Sequence, residues 1–459
     1  MTLPSEVIAW AEDCCGGKVI EVEQQIRWRA HHFLTIERPD GPLGVLARSK
    51  RKDVPAGGFL EHFNIDHEAR VLAALQGRNL KIPEFFGFNQ EFGVILMRCV
   101  DGDNQLSTAP DDATRLQVMT EYIEQLARLH ALDVDSMTLD GLTVPETPEE
   151  TAFAGKFAFV EKDWAHWRMK LAPEPLLELG LWWLHANVPG GRRRVSFVQG
   201  DTGPGQFMFA DGHLTALIDW ELAHIADPML DLGVMRMRNM LYPTGSLAEP
   251  IAHYEKVSGH PIDRRAVCFY TVMSTLLTPL GVCPLMQHPT ARVEHTLPSF
   301  SWDATLRRGL GDALAEAIGV EIEPPELPDA PQSTHPLLKY LVEHLELKCE
   351  PAAADDVGRH HISSAASIAR AIQLETAVGA ELLDADLDDM GRVLGARPKT
   401  RREGLGQLNE IVAAGPSEQL EQLVWLFART ERRREFLLRP MMIDSAAGEF
   451  EPLASVRQP

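Results

Sequence analysis

Three polar side chains in one short stretch of the sequence have the types and spacing for phosphoryl transfer. Asp201 lies in a Gly- and Pro-rich turn after an apolar run, Gln206 follows five residues later, and Asp219 ends the next apolar run. Moving a phosphate to a hydroxyl needs a base that orients the incoming oxygen and groups that hold Mg²⁺ against the phosphates. Mg²⁺ prefers hard oxygen ligands, usually one or two carboxylates. This chemistry suits Asp201 as the base, with Asp219 and Gln206 as metal ligands.

The same stretch has a purely structural interpretation. A Gly-Pro hairpin between two buried strands would place Asp201 and Gln206 in turn hydrogen bonds, as such residues often are. Short motifs also match by chance. The stretch alone therefore leaves both interpretations open.

The residues from Val198 to Gly233 resemble the aminoglycoside phosphotransferase and choline kinase-like family. The resemblance rests on Gln-Gly-Asp at 199–201, Ile-Asp-Trp-Glu at 218–221, and Ala-Asp-Pro with a following Asp-Leu at 226–232. It extends to the kinase-like module fused to some acyl-CoA dehydrogenases and to the free-standing bacterial relatives of that module. By pattern the resemblance covers roughly residues 15 to 320. It is most specific at the two aspartate motifs, which contain Asp201 and Asp219.

The resemblance implies an α+β, bilobal protein-kinase-like fold, with a small antiparallel β N-lobe and a mainly helical C-lobe. The sequence agrees with this fold class, because residues 18–100 contain short alternating segments interrupted by one helical pattern after Asp66. A long helix is predicted from Asp111 or Asp112, either of which could be its N-cap, to His130. Further helices are expected in the ranges 150–186 and 246–281.

We predict four segments: an N-lobe at 1–100, a C-lobe at 101–320, a linker at 321–335 and an all-α domain at 336–459. The linker is rich in Pro and acidic residues, which favours an extended, solvated connector. The last segment contains periodic helices and weakly resembles a helical domain of unknown function that accompanies bacterial phosphotransferases of this type. Its adjacent His360 and His361 would point to different helix faces, so a surface role is favoured over a metal site.

Carried over residue by residue, the resemblance implies roles for five side chains. Asp201 would orient the acceptor hydroxyl, while Gln206 and Asp219 would hold metal. Glu221 would support a second metal or the substrate side. Glu68 matches the N-lobe helix carboxylate that pairs with a phosphate-binding cation, although a solvent-facing helix charge is the alternative. The family also places Asp227 and Asp231 where they brace the catalytic loop.

The sequence departs from the family around its catalytic aspartates. Gln199 stands where the family has His, and Gln206 stands where it has Asn. The longer Gln206 side chain affects metal binding, because Mg²⁺ demands nearly ideal octahedral geometry.

Larger departures lie in the N-lobe. Residues 26–32 contain no Gly where the family's phosphate-covering turn has small residues, so Arg27 or Arg29 would contact phosphate through its side chain. The strand cation is displaced as well, since Ala47 is followed by Arg48. A one-residue shift turns a strand side chain to the opposite face. We therefore expect Arg48 to bind nucleotide only if a bulge or another register turns it inward.

Composition limits the partners. The net charge of -22 disfavours nucleic acid, whose binding depends on Lys and Arg. No run of about 20 apolar residues is evident, so no membrane span is expected. The six cysteines show no zinc spacing, and the N-terminus has no secretory pattern. We expect a cytoplasmic protein, and the oligomeric state is open, with a homodimer among the alternatives.

Three functional hypotheses follow. The first is a kinase that uses ATP or GTP with Mg²⁺ to phosphorylate a hydroxyl of a small metabolite, such as a hydroxyacyl thioester or an aminoglycoside-like alcohol. The second is a catalytically impaired kinase-fold protein that acts as a binding or scaffold protein, because fold does not fix function. The third is another reaction carried out by the same carboxylates.

Overall fold

The computed structural model describes residues 3–25, 31–51, 64–136, 142–191, 194–293, 296–329, 335–442 and 448–453. The chain divides into two compact units. The first comprises Met1–Phe159, Val188–Tyr270 and Glu451–Pro459. The second comprises Val160–Asn187 and Thr271–Phe450.

A five-stranded antiparallel sheet forms the N-terminal part of the first unit, in the order β1-β2-β3-β5-β4. Its strands are β1 (Lys18–Gln25), β2 (His31–Glu37), β3 (Leu43–Ser49), β4 (Phe85–Asn89) and β5 (Val94–Arg98). On β3, Val45 and Ala47 are buried in a core with Val7 and Ala11 of helix α1 (Ser5–Cys15). Because strand side chains alternate between faces, Arg48 lies on the face opposite to α1.

Along the chain, one helix lies between β3 and β4 and another follows β5, and each begins at a capping side chain. Helix α2 (Ile65–Leu75) begins after Asn64, whose side chain accepts a hydrogen bond from the Asp66 N–H. Helix α3 (Asp112–His130) begins after Asp111, whose side chain accepts from the Thr114 N–H. Of the two predicted caps, Asp111 is therefore the one used, because a cap lies outside the helix and accepts from its first turn.

The remainder of the first unit carries the two aspartate motifs on short strands. Strand β6 (Ser196–Val198) pairs with β9 (His224–Ala226), and β7 (Phe207–Ala210) pairs with β8 (His213–Leu217). The helices in this part are α4 (Pro148–Ala152), the start of α5 (Phe157–Trp167), α7 (Met229–Leu241), α8 (Ala248–Ser258) and the start of α9 (Arg264–Gln287).

The second unit is built from helices in the residues described. Besides the ends of α5 and α9, it contains α6 (Pro175–Ala186), α10 (Thr296–Ile318), α11 (Pro336–His344), α12 (Asp356–Leu394), α13 (Arg401–Ala414) and α14 (Leu420–Leu438). Helices α10 and α14 approach so closely that a Cβ on Gly311 would lie 2.8 Å from Ala428 Cα. This packing groups residues 271–320, assigned to the C-lobe from the sequence, with the C-terminal helices.

The α+β class with a small antiparallel sheet and a helical remainder is confirmed, and both further ranges expected to be helical contain helices. The range 150–186 contains three helices, of which α4 and α6 begin at Pro148 and Pro175, where proline fits the first turn. The range 246–281 contains two, because Gly259 ends α8 in the left-handed conformation.

Helix α9 bears on the expectation that the chain has no membrane span. Among the described residues it is the one helix long and apolar enough to cross a membrane by length and composition. In its most apolar window, 78% is buried inside the protein, as in the core helix of a soluble protein, so this is weak evidence for a span. The absence of a membrane partner stays a prediction.

Candidate active site

The loop of residues 199–206, here called the catalytic loop, connects β6 to β7 and carries Asp201. Gly200 adopts φ +79°, and a Cβ at this position would lie 2.3 Å from the Leu222 carbonyl oxygen. Glycine is therefore required at position 200, because the positive φ disfavours other residues and the nearby Leu222 carbonyl leaves no room for a Cβ.

The Asp201 carboxylate is held from two sides. Its Oδ1 accepts a hydrogen bond from Arg238 Nη1 at 2.9 Å, and its Oδ2 accepts one from Gln206 Nε2. Burial raises the pKa of Asp201 above its ordinary value, the Arg238 guanidinium opposes that rise, and the nearby Asp219 carboxylate adds to it. A carboxylate so placed can accept a hydrogen bond from a hydroxyl and take its proton.

The start of the catalytic loop is attached to α7 through Asp231. This fully buried carboxylate accepts hydrogen bonds from the Gln199 and Gly200 N–H groups, both at 2.9 Å. It also lies 2.9 Å from His130 Nε2 at the end of α3. Asp231 thus braces the loop, as the family resemblance implied. Asp227 accepts from the Met229 N–H at the start of the same helix.

Gln199 makes hydrogen bonds with both of its amide atoms in this scaffold. Its Oε1 accepts from the Tyr122 hydroxyl at 2.8 Å, and its Nε2 donates to the Ile218 carbonyl at 2.8 Å. The first bond joins the loop to α3, and the second joins it to the residue before Asp219. Gln199, which stands where the family has His, is therefore a buried side chain with both of its amide atoms hydrogen-bonded.

Glu68, Asp219 and Glu221 form an acidic cluster, with one carboxylate oxygen of each within 4.8 Å of the others. Hard oxygen ligands at this separation fit a divalent cation such as Mg²⁺. The Gln206 side chain donates through its Nε2 to the Asp201 carboxylate. Its role as a metal ligand stays a prediction.

Arg48 lies in contact with the acidic cluster. Its Nε is 2.9 Å from Glu68 Oε2, and its Nη2 is 2.6 Å from Asp219 Oδ1 and 3.9 Å from Glu221 Oε2. Burial alone would lower the pKa of Arg48, but the three carboxylates outweigh it and raise the pKa. Glu68 is 1% exposed, which contradicts the alternative of a solvent-facing charge.

Arg48 faces Glu68 without a bulge in β3, and its contact with nucleotide stays a prediction. Strand β3 pairs regularly with β2 and β5 through Arg48, opposite His31 and Ile95. The regular alternation itself turns Arg48 toward Glu68, because α1 covers the other face of the strand.

Asp219 has φ +63°, in the left-handed region. This conformation is uncommon for residues other than glycine, although aspartate adopts it more readily than most. Strained backbone of this kind concentrates at functional sites, so the outlier supports a functional role for Asp219.

Two arginines of the site were not predicted from the sequence. Arg51 lies just after β3 and donates to Glu221 Oε1 at 2.8 Å, and Arg238 donates to Asp201. A signal for Arg238 existed, because it follows Asp231 by seven residues, two turns along the same helix face. Arg29 and Arg27, the predicted phosphate contacts, lie outside the described residues.

Comparison with known proteins agrees with the resemblance seen in the sequence. Residues 55–270 match the model of the phosphotransferase enzyme family (APH). Acyl-CoA dehydrogenase family member 11 from Pongo abelii is 23% identical over 232 residues, which are 48% of this chain and 29% of that protein. The protein of that name from Homo sapiens is 25% identical over 194 residues, 40% of this chain and 24% of that protein. The match thus spans less than a third of these curated relatives.

Solved phosphotransferase structures are similar as well. The macrolide 2'-phosphotransferase of Brachybacterium faecium has a TM-score of 0.47 at 20% identity, covering 66% of this chain and 98% of that one. A macrolide 2'-phosphotransferase of type I has a TM-score of 0.48 at 17% identity, covering 64% of this chain and 97% of that one.

Proposed function

We propose that this chain, whose residues 55–270 match the phosphotransferase enzyme family, is a small-molecule kinase that transfers the γ-phosphate of ATP or GTP to a hydroxyl group. The observation that carries the proposal is the geometry around Asp201. Its carboxylate is held by Arg238 and Gln206 and interacts electrostatically with Asp219 of the acidic cluster. A base beside a cation-binding cluster is the arrangement that phosphoryl transfer needs.

Each residue has a role in the proposed reaction. Asp201 orients the acceptor hydroxyl and accepts its proton, and Arg238 and Gln206 keep the carboxylate in place. Arg48 and Arg51 supply positive charge next to the cluster, where guanidinium groups suit phosphate oxygens. Mg²⁺ held by Asp219 with Glu221 or Glu68 would neutralise phosphate charge when bound.

For the acceptor we propose a hydroxyacyl thioester or a related hydroxylated metabolite, with an aminoglycoside-like alcohol as the alternative. Support for the thioester comes from the relatives, which are named for the acyl-CoA dehydrogenase family. We also propose that the protein acts in the cytoplasm without nucleic-acid or membrane partners, and a homodimer stays open.

The proposal is tested first by nucleotide binding and then by turnover. A kinase should gain thermal stability with millimolar MgATP or MgGTP, because a ligand that binds only the folded state stabilises it by mass action. Nucleotide consumption is then measured with hydroxy acids, their thioesters, amino alcohols and aminoglycosides. Stabilisation with consumption on one acceptor class supports the kinase. No stabilisation and no consumption would contradict it.

A second candidate function is a binding or scaffold protein. It is favoured by the ion pair in which Arg48 occupies the carboxylate of Asp219 that a kinase needs for metal. The absence of glycine from residues 26–32 points the same way. No stabilisation by millimolar nucleotide, together with no nucleotide consumption on any hydroxylated acceptor, would support this function.

A further inference from the structure

Helix α7 contacts the catalytic loop at two places, two turns apart. Asp231, near its N-terminus, accepts from the first two N–H groups of the loop. Arg238 projects from the same face, because residues seven apart on a helix lie above one another. It contacts two residues further along the loop, Asp201 and Pro204.

Arg238 joins the base to the loop backbone. Its Nη1 donates to Asp201 Oδ1 and its Nε to the Pro204 carbonyl oxygen, both at 2.9 Å. One rigid, planar guanidinium therefore fixes both the carboxylate and the chain three residues after it. Lysine lacks this fork of fixed donors.

The surroundings of Arg238 hold it in this position. On one side, Gly205 has φ +88°, and a Cβ there would lie 2.9 Å from Arg238 Nη2. Directly after α7, the ring of Tyr242 has its centre 5.2 Å from the Arg238 guanidinium carbon, within cation–π range. The Arg238 side chain is only 12% exposed.

We propose that Arg238 is a positioning residue for phosphotransfer. Through Arg238, helix α7 fixes the Asp201 carboxylate and the Pro204 backbone of the catalytic loop. The same helix fixes the start of the loop through Asp231. Arg238 acts through Asp201 and needs no contact with the substrate. The expected effect of Arg238 on kcat rests on the proposed function, whereas its expected effect on the structure of the loop does not.

The activity-independent test is hydrogen exchange of the loop amides. The Gly203 N–H donates to the Tyr122 hydroxyl, and the Gln206 N–H donates to the Gly203 carbonyl. Arg238→Met should speed exchange of these two amides at least about tenfold, because local opening becomes easier. The Gln199 and Gly200 amides should stay protected by Asp231. Arg236→Met is the matched control, since Arg236 lies on α7 and donates to the Glu451 carbonyl instead.

The kinetic test is a separation of kcat from KM. Arg238→Met should lower kcat by about 30- to 100-fold with the KM for nucleotide within about threefold, because a misplaced base slows only the chemical step. Arg238→Lys should have a kcat about tenfold higher than that of Arg238→Met, because lysine keeps the positive charge, but its kcat should stay below that of wild type. Melting temperatures of the variants separate this loss from unfolding.

The outcomes distinguish the two proposals. Unchanged exchange of the Gly203 and Gln206 amides in Arg238→Met overturns the positioning role, whether or not the protein turns over. Faster exchange in that variant, with protected amides in Arg236→Met, supports it even if wild type shows no phosphotransfer, in which case only the kinase proposal fails. If wild type is active and Arg238→Met keeps full kcat, the role in catalysis is overturned.

Discussion

The two sides of the candidate site are organised differently. On the base side, the catalytic loop donates hydrogen bonds to Asp231 and to the Tyr122 hydroxyl and accepts one from Arg238. On the nucleotide side, Arg48 and Arg51 pair directly with the carboxylates that would hold metal. If the chain is the proposed kinase, the base side is already arranged for its chemistry, whereas nucleotide and metal would have to replace ion pairs on the other side. The comparison teaches that one proposed site combines a carboxylate fixed by hydrogen bonds with carboxylates that are occupied by arginines.

The largest expected effect is the loss of the base. Asp201→Asn should lower kcat by about 1,000-fold, because a general base contributes about 10² to 10⁴ in rate. The fold should persist, since asparagine keeps the shape and can still hydrogen-bond. The measurement is phosphotransfer rate together with melting temperature. Asp211→Asn, at an exposed turn residue, is the control that should keep full rate. Full turnover in Asp201→Asn would remove this residue from the mechanism.

The preorganisation of the base side is tested through Asp231. Asp231→Ala should lower the free energy of unfolding by about 3 to 5 kcal/mol, because two loop N–H groups and His130 lose a buried partner. Urea unfolding at neutral pH measures this loss. Asp135→Ala, at an exposed residue, should change stability by less than about 0.5 kcal/mol. An equally small effect for Asp231→Ala would mean that the loop does not depend on Asp231.

The nucleotide side is tested through Arg48. Arg48→Met should weaken MgATP binding by about 10- to 100-fold, because it removes a partly buried cation from beside the proposed phosphate site. Arg48→Lys should recover part of the affinity. Isothermal titration calorimetry measures both, and Arg38→Met, which breaks an exposed pair with Asp40, is the control. Tighter metal or nucleotide binding in Arg48→Met would instead mean that Arg48 blocks the site, which favours the scaffold function.

The sequence predicts the base side better than the nucleotide side, for a physical reason. Asp201, Gly200 and Asp231 belong to local motifs whose turn and helix geometry follows from nearby residues. The orientation of Arg48 depends on which face of β3 is covered by α1, and that is decided by tertiary packing. The pairing of Arg51 with Glu221 joins residues 170 positions apart, which no local pattern indicates.

The smallest expected effect concerns Glu121, on α3, the helix that also supplies Tyr122 to the base side. Its carboxylate accepts from the Leu214 N–H, on the strand that leads to Asp219, and from Lys81. Burial raises the pKa of Glu121, but hydrogen bonds from His213, Gln117 and Lys81 outweigh it and lower the pKa to about 2.

A lowered pKa means that the folded state favours the charged carboxylate. Its contribution to stability is therefore complete above the unfolded pKa of about 4.3 and is lost as the pH falls toward 2. Glu121→Gln should cost about 1 kcal/mol at pH 7, a modest value for a partly exposed group, and the difference from wild type should shrink between pH 5 and pH 3. Urea unfolding across this range measures it, with Glu84→Gln, in an exposed pair with Arg98, as the control. A difference independent of pH would show that Glu121 acts by packing, and the link from α3 to the Asp219 strand would then not be electrostatic.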